Sequence, residues 1–199
     1  MDNIKNFFAE LDREWKGAAT SKIHLRILGS SALILQTDYN RGTKDADVLE
    51  TADITASVKK ELLELAGRGT TIHKRHRIYL DIVSGGIPFL PQSPHYIPLR
   101  ELNRALAHFH VEVMDVVDVV VSKIKRFGAD DVSDIRAMVE RKKVPHAKLV
   151  ERFKSAMGIY EFDARADELP LYIKNLNVVE RDFMMVAESE IELPGCLTE

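Results

Sequence analysis

The sequence is poor in cysteine and lacks long apolar runs. Cys196 is the only cysteine among 199 residues, which excludes an intrachain disulfide and makes a reducing cytoplasm the expected compartment. No stretch of about 18 apolar residues occurs, so we expect no transmembrane helix and no membrane partner. The opening residues, MDNIKNFFAELDREW, place acids among apolar positions. They therefore lack the basic region and apolar core of a signal peptide.

Charge and familiar catalytic motifs are also scarce. The net charge is −3, so bulk charge does not indicate nucleic-acid binding. No P-loop pattern and no Ser-His-Asp order is present. Among seven histidines only His108 and His110 stand at a metal-ligand spacing, which argues against a zinc site. The local basic cluster 73–77 favours a charged, solvated hairpin edge, with a contact to a polyanion such as tRNA as the alternative.

Apolar spacing predicts strands and helices together in the first part of the chain and helices alone in the rest. The first helix, 2–17, would bury Ile4, Phe7, Phe8, Leu11 and Trp15. Further predicted elements up to residue 113 are strands 23–28, 45–49, 77–84 (ended by Gly85-Gly86) and 108–113, and helices 30–37 and 55–66. Four prolines interrupt regular structure in 85–100. The later predicted helices are 116–127 (Asp115 as N-cap), 131–142, 145–157 and 167–187, followed by a loose tail after 188.

This pattern predicts an α/β (or α+β) fold with a small mixed β-sheet flanked by helices. A helical C-terminal region follows it. We expect residues 1–113 to form a catalytic core and residues 114–199 to pack on that core, with the active cleft between them.

Two carboxylates open the second predicted strand. Asp45 and Asp47 are separated by one residue, and residues i and i+2 of a strand point to the same face. Two ionised carboxylates this close repel each other, and a hard divalent cation removes that penalty. Mg²⁺ prefers oxygen ligands with substrate phosphates completing its coordination. The alternative is an ordinary turn or cap at the start of a strand.

A third carboxylate lies in the middle of an apolar strand. Asp81 follows Ile78, Tyr79 and Leu80, and burying it alone would cost several kcal/mol unless it were paired or bound to metal. If this strand lies beside the Asp45–Asp47 strand, three carboxylates converge. Such a set could hold two metal ions about 3.5–4 Å apart. A salt-bridged strand residue is the alternative interpretation of Asp81.

Gly29 and Ser30 stand between a predicted strand and a helix N-terminus. Unpaired N–H groups at that position favour a phosphate, and glycine permits close approach of the backbone. The Ser30 hydroxyl would add a donor. A simple helix N-cap is compatible with the same residues.

These motifs together resemble the polymerase-β-type nucleotidyltransferase superfamily. The matching segments are Leu28-Gly29-Ser30, Asp45-Ala46-Asp47-Val48 and Leu80-Asp81-Ile82. The resemblance implies Mg²⁺, or Mn²⁺ in its place, held by Asp45, Asp47 and Asp81, with Asp81 also acting as general base on the acceptor. It covers roughly residues 23 to 84, and the 14 residues between Ser30 and Asp45 slightly exceed the usual spacing.

A second similarity concerns the loop before the acidic strand and the later helices. Arg41-Gly42-Thr43-Lys44-Asp45-Ala46-Asp47 resembles small prokaryotic nucleotidyltransferases related to AbiEii-type and MNT-like proteins. That resemblance implies that Arg41, Thr43 or Lys44 contacts substrate. It also implies that Lys123 contacts nucleotide phosphates and that Asp134 supports the site. Solvated side chains and acids at a helix start are the alternatives for these residues.

The function that this resemblance implies is metal-dependent transfer of a nucleoside monophosphate from an NTP to an acceptor hydroxyl, with release of pyrophosphate. The acceptor could be RNA such as tRNA, a protein or a small molecule such as an aminoglycoside. The rival hypothesis is a non-catalytic component that binds nucleotide or partner, for example one half of a toxin–antitoxin pair with a cognate antitoxin.

Overall fold

The structure, a computed structural model, describes residues 2–17, 21–84, 89–160 and 164–193. The chain divides into two compact units. The first contains Met1–Ile87 and Tyr96–Met114, and the second contains Pro88–His95 and Asp115–Glu199. None of the helices in the described ranges is long and apolar enough to cross a membrane.

Helices and strands mix in the first unit, whereas regular structure in the described part of the second is helical. The first unit holds α1 (Asp2–Glu14), β1 (Ile23–Ile27), α2 (Gly29–Gln36), β2 (Asp45–Leu49), α3 (Ala56–Ala66), α4 (Thr71–His76), β3 (Tyr79–Val83), β4 (Tyr96–Pro98), α5 (Arg100–Ala105) and β5 (Phe109–Met114). The second holds α6 (Val116–Arg126), α7 (Ala129–Glu140), α8 (His146–Met157), α9 (Leu169–Val178), 3₁₀ segments Gly158–Tyr160 and Ala164–Glu168, and a π-helical segment Val179–Met184.

The strands of the described residues form one mixed sheet in the order β3-β2-β1-β5-β4. β2 and β3 run parallel, as do β1 and β5. β1 pairs antiparallel with β2, and β4 pairs antiparallel with β5. The predicted fold class, a small mixed sheet flanked by helices and followed by a helical region, is confirmed.

One face of this sheet is apolar and buried. Its side chains alternate along each strand with polar ones on the opposite face, as the two-residue period requires. The buried set comprises Leu25, Ile27, Ala46, Val48, Leu80, Ile82, Val111 and Val113. The residues predicted for the inner face of the first helix, Ile4, Phe7, Phe8, Leu11 and Trp15, are also all buried. The sheet therefore presents its polar side chains on one face.

The second unit is organised around α6, which contacts α7, α8 and α9. The Asp115 carboxylate caps this helix by accepting from the Val117 N–H at 3.0 Å, as predicted. Asp118, fully buried, accepts from the Arg152 guanidinium at 2.6 and 2.7 Å. This ion pair joins α6 to α8. Removing either partner would leave the other charge buried without its counter-ion, which is costly.

Two sequence predictions differ from the structure. The basic cluster 73–77 lies mainly in α4 and not at a hairpin edge. In the proline-rich segment, residues 89–95 lack regular structure as predicted, and β4 follows them. The tail after residue 188 is not loose throughout, since the Ser189 N–H and hydroxyl donate to Glu180 at 2.9 and 2.6 Å. Cys196 and the predicted strand end at Gly85-Gly86 lie outside the described residues.

Candidate active site

Three carboxylates share the polar face of β2 and β3. Asp47 and Asp81 are register partners on these parallel strands, and Asp45 is the partner of Tyr79. Neighbouring strands lie about 4.8 Å apart, so Asp45, Asp47 and Asp81, here called the acidic cluster, are neighbours on this face of the sheet. Asp45 and Asp47 are partly exposed and Asp81 is exposed. The condition for convergence, that β2 lies beside β3, is therefore met, and the metal-binding role of the three carboxylates stays a prediction.

Gly29 brings the start of α2 against this cluster. Its φ is +59°, in the left-handed region that favours glycine. A Cβ built at this position would lie 2.9 Å from Asp47 Oδ2. The Leu28 N–H donates to the Asp47 carbonyl at 2.9 Å, which fixes the chain beside β2. Any other residue here would be strained at this φ and would have to displace the Asp47 carboxylate.

We expect Gly29→Ala to lower the free energy of unfolding by about 1–2 kcal/mol, because alanine is strained at this φ and its Cβ meets Asp47. Chemical denaturation measures the loss. Gly42→Ala is the matched control, since a Cβ at Gly42 meets nothing within 4 Å. Equal stability of the two variants would contradict the close approach of Gly29 to Asp47.

The loop before β2 is tied to the backbone of Asp45. The Ser31 and Thr43 hydroxyls donate to the Asp45 carbonyl at 2.5 and 3.0 Å, and Thr43 also donates to Asp45 Oδ1 at 3.3 Å. Arg41 Nη1 donates to Ser30 Oγ at 3.4 Å. The Lys44 side chain is exposed. Thr43 therefore contacts the Asp45 carboxylate, Ser31 is bonded to the Asp45 backbone, and Arg41 lies against Ser30.

Tyr79 is the aromatic neighbour of the three carboxylates. Burial first, and then the charges of Asp45, Asp81 and Asp47, raise the pKa of its phenol, while Arg68 opposes them. The Arg68 guanidinium lies 5.5 Å from the Tyr79 ring centroid, and the His73 ring packs edge-on at 5.3 Å. Sequence reasoning missed Tyr79, although its position two residues before Asp81 placed it on the same face.

The raised pKa of Tyr79 predicts a measurable response to charge at the cluster. Asp45→Asn should lower the pKa of Tyr79 toward its usual value of 10.0, because one of the anions that oppose ionisation is removed. Phenolate absorbance, taken as the difference from the matching Tyr79→Phe protein, isolates this residue from the other tyrosines. Asp38→Asn is the control, since Asp38 is not among the charges that act on Tyr79.

The raised pKa of Tyr79 also determines how the stability of the protein changes with pH. A phenol whose folded pKa is raised contributes stability that is fully present below the unfolded pKa and is lost as pH rises through the folded pKa. Stability should therefore fall more between neutral pH and the folded pKa in the wild type than in Tyr79→Phe. An unchanged Tyr79 pKa in Asp45→Asn would show that the Asp45 charge does not act on Tyr79.

Lys123 and Asp134 lie in the second unit and form their own ion cluster. Lys123 Nζ lies 2.9 Å from both Asp131 Oδ1 and Asp134 Oδ2, and Arg126 also reaches Asp131 at 2.9 Å. The Lys123 side chain is 4% exposed and that of Asp134 is 0% exposed. The packing of α6 on α7 joins these two residues, to both of which the resemblance had assigned a role. The nucleotide contact of Lys123 stays a prediction.

The basic cluster before β3 is only partly available to a ligand. In α4, Arg75 and His76 both contact the carboxylate of Glu10, which is 7% exposed. The Thr70 hydroxyl caps this helix by accepting from the His73 N–H at 3.2 Å. Arg75 and His76 thus help to attach α4 to α1.

The donor set of the acidic cluster fits a hard divalent cation. All three side chains offer carboxylate oxygens, the ligands that Mg²⁺ prefers, and they stand on a sheet face that solvent reaches. A cation bound among them would offset the mutual repulsion of their negative charges. The adjoining N-terminus of α2 is an environment that favours an anion such as a phosphate. A cation and a phosphate could therefore sit side by side here.

Comparison with known proteins agrees with this geometry. A family model described as "Nucleotidyltransferase of unknown function (DUF6036)" matches residues 5–181. No curated protein and no solved structure matches the chain significantly. The matched segment includes β1, α2, β2 and β3, and it extends over far more than half of the sequence. The chain therefore belongs to the DUF6036 family of nucleotidyltransferases of unknown function.

Proposed function

We propose that this protein transfers a nucleoside monophosphate from an NTP to an acceptor hydroxyl in a reaction that depends on Mg²⁺. The acceptor oxygen forms a bond to the α-phosphorus, the bond from that phosphorus to the bridging oxygen breaks, and pyrophosphate leaves. The observation that carries the proposal is the register of β2 and β3, which pairs Asp47 with Asp81 and leaves Asp45 on the same face.

The three carboxylates have separate tasks in this proposal. Asp45 and Asp47 hold the cation against the triphosphate, and Asp81 completes the set and accepts the proton of the acceptor hydroxyl. Bound Mg²⁺, or Mn²⁺ in its place, would neutralise triphosphate charge and lower the pKa of the attacking hydroxyl. The Tyr79 phenol, protonated at neutral pH, can donate a hydrogen bond to an anion near the cluster.

The phosphates are assigned to the positive groups beside the cluster. Gly29 and Ser30 begin α2, where backbone N–H groups and the helix dipole favour an anion. Arg41, Thr43 and Lys44 come from the adjoining loop, in which Arg41 and Thr43 are already held near Ser30 and Asp45. Arg68, beside Tyr79, is a further guanidinium that can bind phosphate oxygens.

The roles of the second unit stay proposals. We propose residues 1–113 as the catalytic core and residues 114–199 as a helical region that supports it. Lys123 would neutralise charge that develops on the phosphates, and Asp134 would position its ammonium. The 2.9 Å contact between Lys123 Nζ and Asp134 Oδ2 supports the positioning part.

The small prokaryotic branch related to AbiEii-type and MNT-like proteins remains the proposed relationship. A cognate antitoxin and a cytoplasmic location belong to the same proposal. Of the residues that carried this resemblance, Thr43 contacts Asp45 and Arg41 lies against Ser30 at the start of α2. That placement supports a substrate role for the loop.

The direct test supplies each of the four NTPs, labelled at the α-phosphate, with Mg²⁺. Bulk tRNA, an aminoglycoside and the protein itself serve as acceptors. We expect label in one class of acceptor and an equal amount of pyrophosphate. A parallel reaction with γ-labelled NTP should leave the acceptor unlabelled, because the β- and γ-phosphates depart together.

Two results would overturn the proposal. Transfer of the γ-label would identify a phosphotransferase instead. Protection from thermal denaturation by NTP and Mg²⁺, with no pyrophosphate formed in the presence of any acceptor or of a cell extract, would favour the non-catalytic nucleotide-binding rival.

A further inference from the structure

Two histidines and a glutamate meet on the polar face of the sheet, on strands β1 and β5. These parallel strands pair His24 with His110 and Arg26 with Glu112. The ligating atoms of His24, His110 and Glu112 all lie within 4.8 Å of one another, and the two imidazole centroids are 4.7 Å apart. The side chains are 46%, 31% and 18% exposed, respectively.

We propose that His24, His110 and Glu112 form a binding site for a transition-metal ion of the Zn²⁺ class. Imidazole nitrogen suits Zn²⁺, Cu²⁺ and Ni²⁺, whereas the all-carboxylate cluster of β2 and β3 suits Mg²⁺. Two histidines and one carboxylate leave the fourth position of a tetrahedral ion open to water or to a ligand atom. This site does not depend on the proposed nucleotidyl transfer.

The distances allow the site to close around an ion. His24 Nδ1 lies 3.9 Å from Glu112 Oε2, and His110 Nε2 lies 3.9 Å from Glu112 Oε1. These separations are too long for hydrogen bonds. Ligand atoms about 2.0–2.1 Å from a tetrahedral Zn²⁺ stand about 3.3 Å from one another. The side chains must therefore move inward by about an ångström, which partly exposed side chains can do by rotating.

Arg26 is the group that competes with the metal. Its Nε lies 3.3 Å from Glu112 Oε2, and its guanidinium lies 4.8 Å from the centroid of the Tyr96 ring. The other carboxylate oxygen, Oε1, faces His110. Arg26 can thus orient Glu112 from outside the ligand set, as outer partners of metal ligands commonly do, although its charge opposes a cation.

Titration of the metal-free, full-length protein with Zn²⁺ tests the site by calorimetry, with Co²⁺ absorption as the spectroscopic readout. We expect tetrahedral Co²⁺ bands in the wild type. His24→Ala and His110→Ala should each weaken Zn²⁺ binding at least tenfold, since each removes a direct ligand. His108→Ala is the matched control, because it removes an imidazole from the same segment but not from the cluster. Asp47→Asn should leave this binding unchanged.

Circular dichroism of the metal-free variants checks that they remain folded. Glu112→Gln offers a milder change that keeps the side-chain volume. The proposal fails if the wild type binds Zn²⁺ no more tightly than His24→Ala, or if His108→Ala weakens binding equally.

Discussion

Replacing Asp47 by asparagine is expected to lower the rate of nucleotidyl transfer by roughly 10³-fold, equivalent to about 4 kcal/mol of transition-state stabilisation. The change keeps the size of the side chain and removes its negative charge. The proposed cation-binding role of Asp47 rests on its position opposite Asp81 in the β2–β3 register and beside Gly29. Single-turnover rates at saturating NTP and Mg²⁺ measure the loss.

Asp81→Asn should give a loss of similar size. The double variant should be little worse than either single one, because residues that act as a unit are not additive. Thermal stability of Asp81→Asn should stay the same or rise slightly, since one of three mutually repelling charges is removed. Glu64→Gln, an exposed carboxylate of α3, is the control that should keep full activity. Full transfer activity in Asp47→Asn would contradict the assignment.

Replacing Lys123 by methionine is expected to destabilise the protein by about 3–5 kcal/mol, as removal of one partner of a buried ion pair does. The change leaves Asp131 at 6% and Asp134 at 0% exposure without the ammonium that lies 2.9 Å from each. Urea denaturation at neutral pH measures the effect. Lys174→Met, at an exposed position of α9, should change stability by less than about 0.5 kcal/mol.

The destabilisation should depend on pH. Burial raises the pKa of Asp131, but the hydrogen bond and charge of Lys123, followed by those of Arg126, lower it overall. A carboxylate with a lowered folded pKa contributes stability that is present above its unfolded pKa and is lost as pH falls through the folded pKa. The difference between the wild type and Lys123→Met should therefore shrink in acid.

Neutralising the two acids provides the second variant for the same cluster. Adding Asp131→Asn and Asp134→Asn to Lys123→Met should recover part of the lost stability, because the two buried acids then no longer carry the charge that the Lys123 ammonium balanced. A constant difference at all pH values, or no recovery in the triple variant, would show that Lys123 acts through packing of its aliphatic stem.

Local sequence patterns predicted much of the fold, because the interactions that form these elements are between residues close in sequence. The period of α1 identified its buried face, and a carboxylate before an apolar run identified Asp115 as an N-cap, which the 3.0 Å contact to Val117 confirms. Asp45 and Asp47 follow from the two-residue period of a strand alone. These features need no knowledge of distant partners.

Features that depend on pairing between distant segments could not be predicted from the sequence. The contact of His24 with His110 arises from β1 lying beside β5, 86 residues later in the chain, and spacing along the sequence had suggested only His108 and His110. β4 ends in Pro98, which a terminal position on an edge strand tolerates. α4 was obscured because its basic residues suggested an exposed edge, whereas Glu10 of α1 holds two of them.

The candidate site shows the same division. The three carboxylates were identifiable one by one, but their convergence rested on the assumption that β2 and β3 are neighbours. The roles of Tyr79 and Ser31 could be recognised only from the structure. Tyr79 is identified by the effect of the carboxylate charges on its pKa, and Ser31 by its 2.5 Å hydrogen bond to the Asp45 carbonyl. The electrostatic partners of a site are set by packing more than by local sequence.

The central claim is that Asp45, Asp47 and Asp81 hold a divalent cation together with a nucleoside triphosphate. Electron paramagnetic resonance of Mn²⁺ with an NTP analogue that carries a methylene between its α- and β-phosphorus measures this directly. The His24→Ala background keeps the proposed histidine site from contributing. Mn²⁺ should bind to the protein at full strength only when the analogue is present. Asp47→Asn or Asp81→Asn should abolish that binding. Equal Mn²⁺ binding with and without these carboxylates would contradict the account.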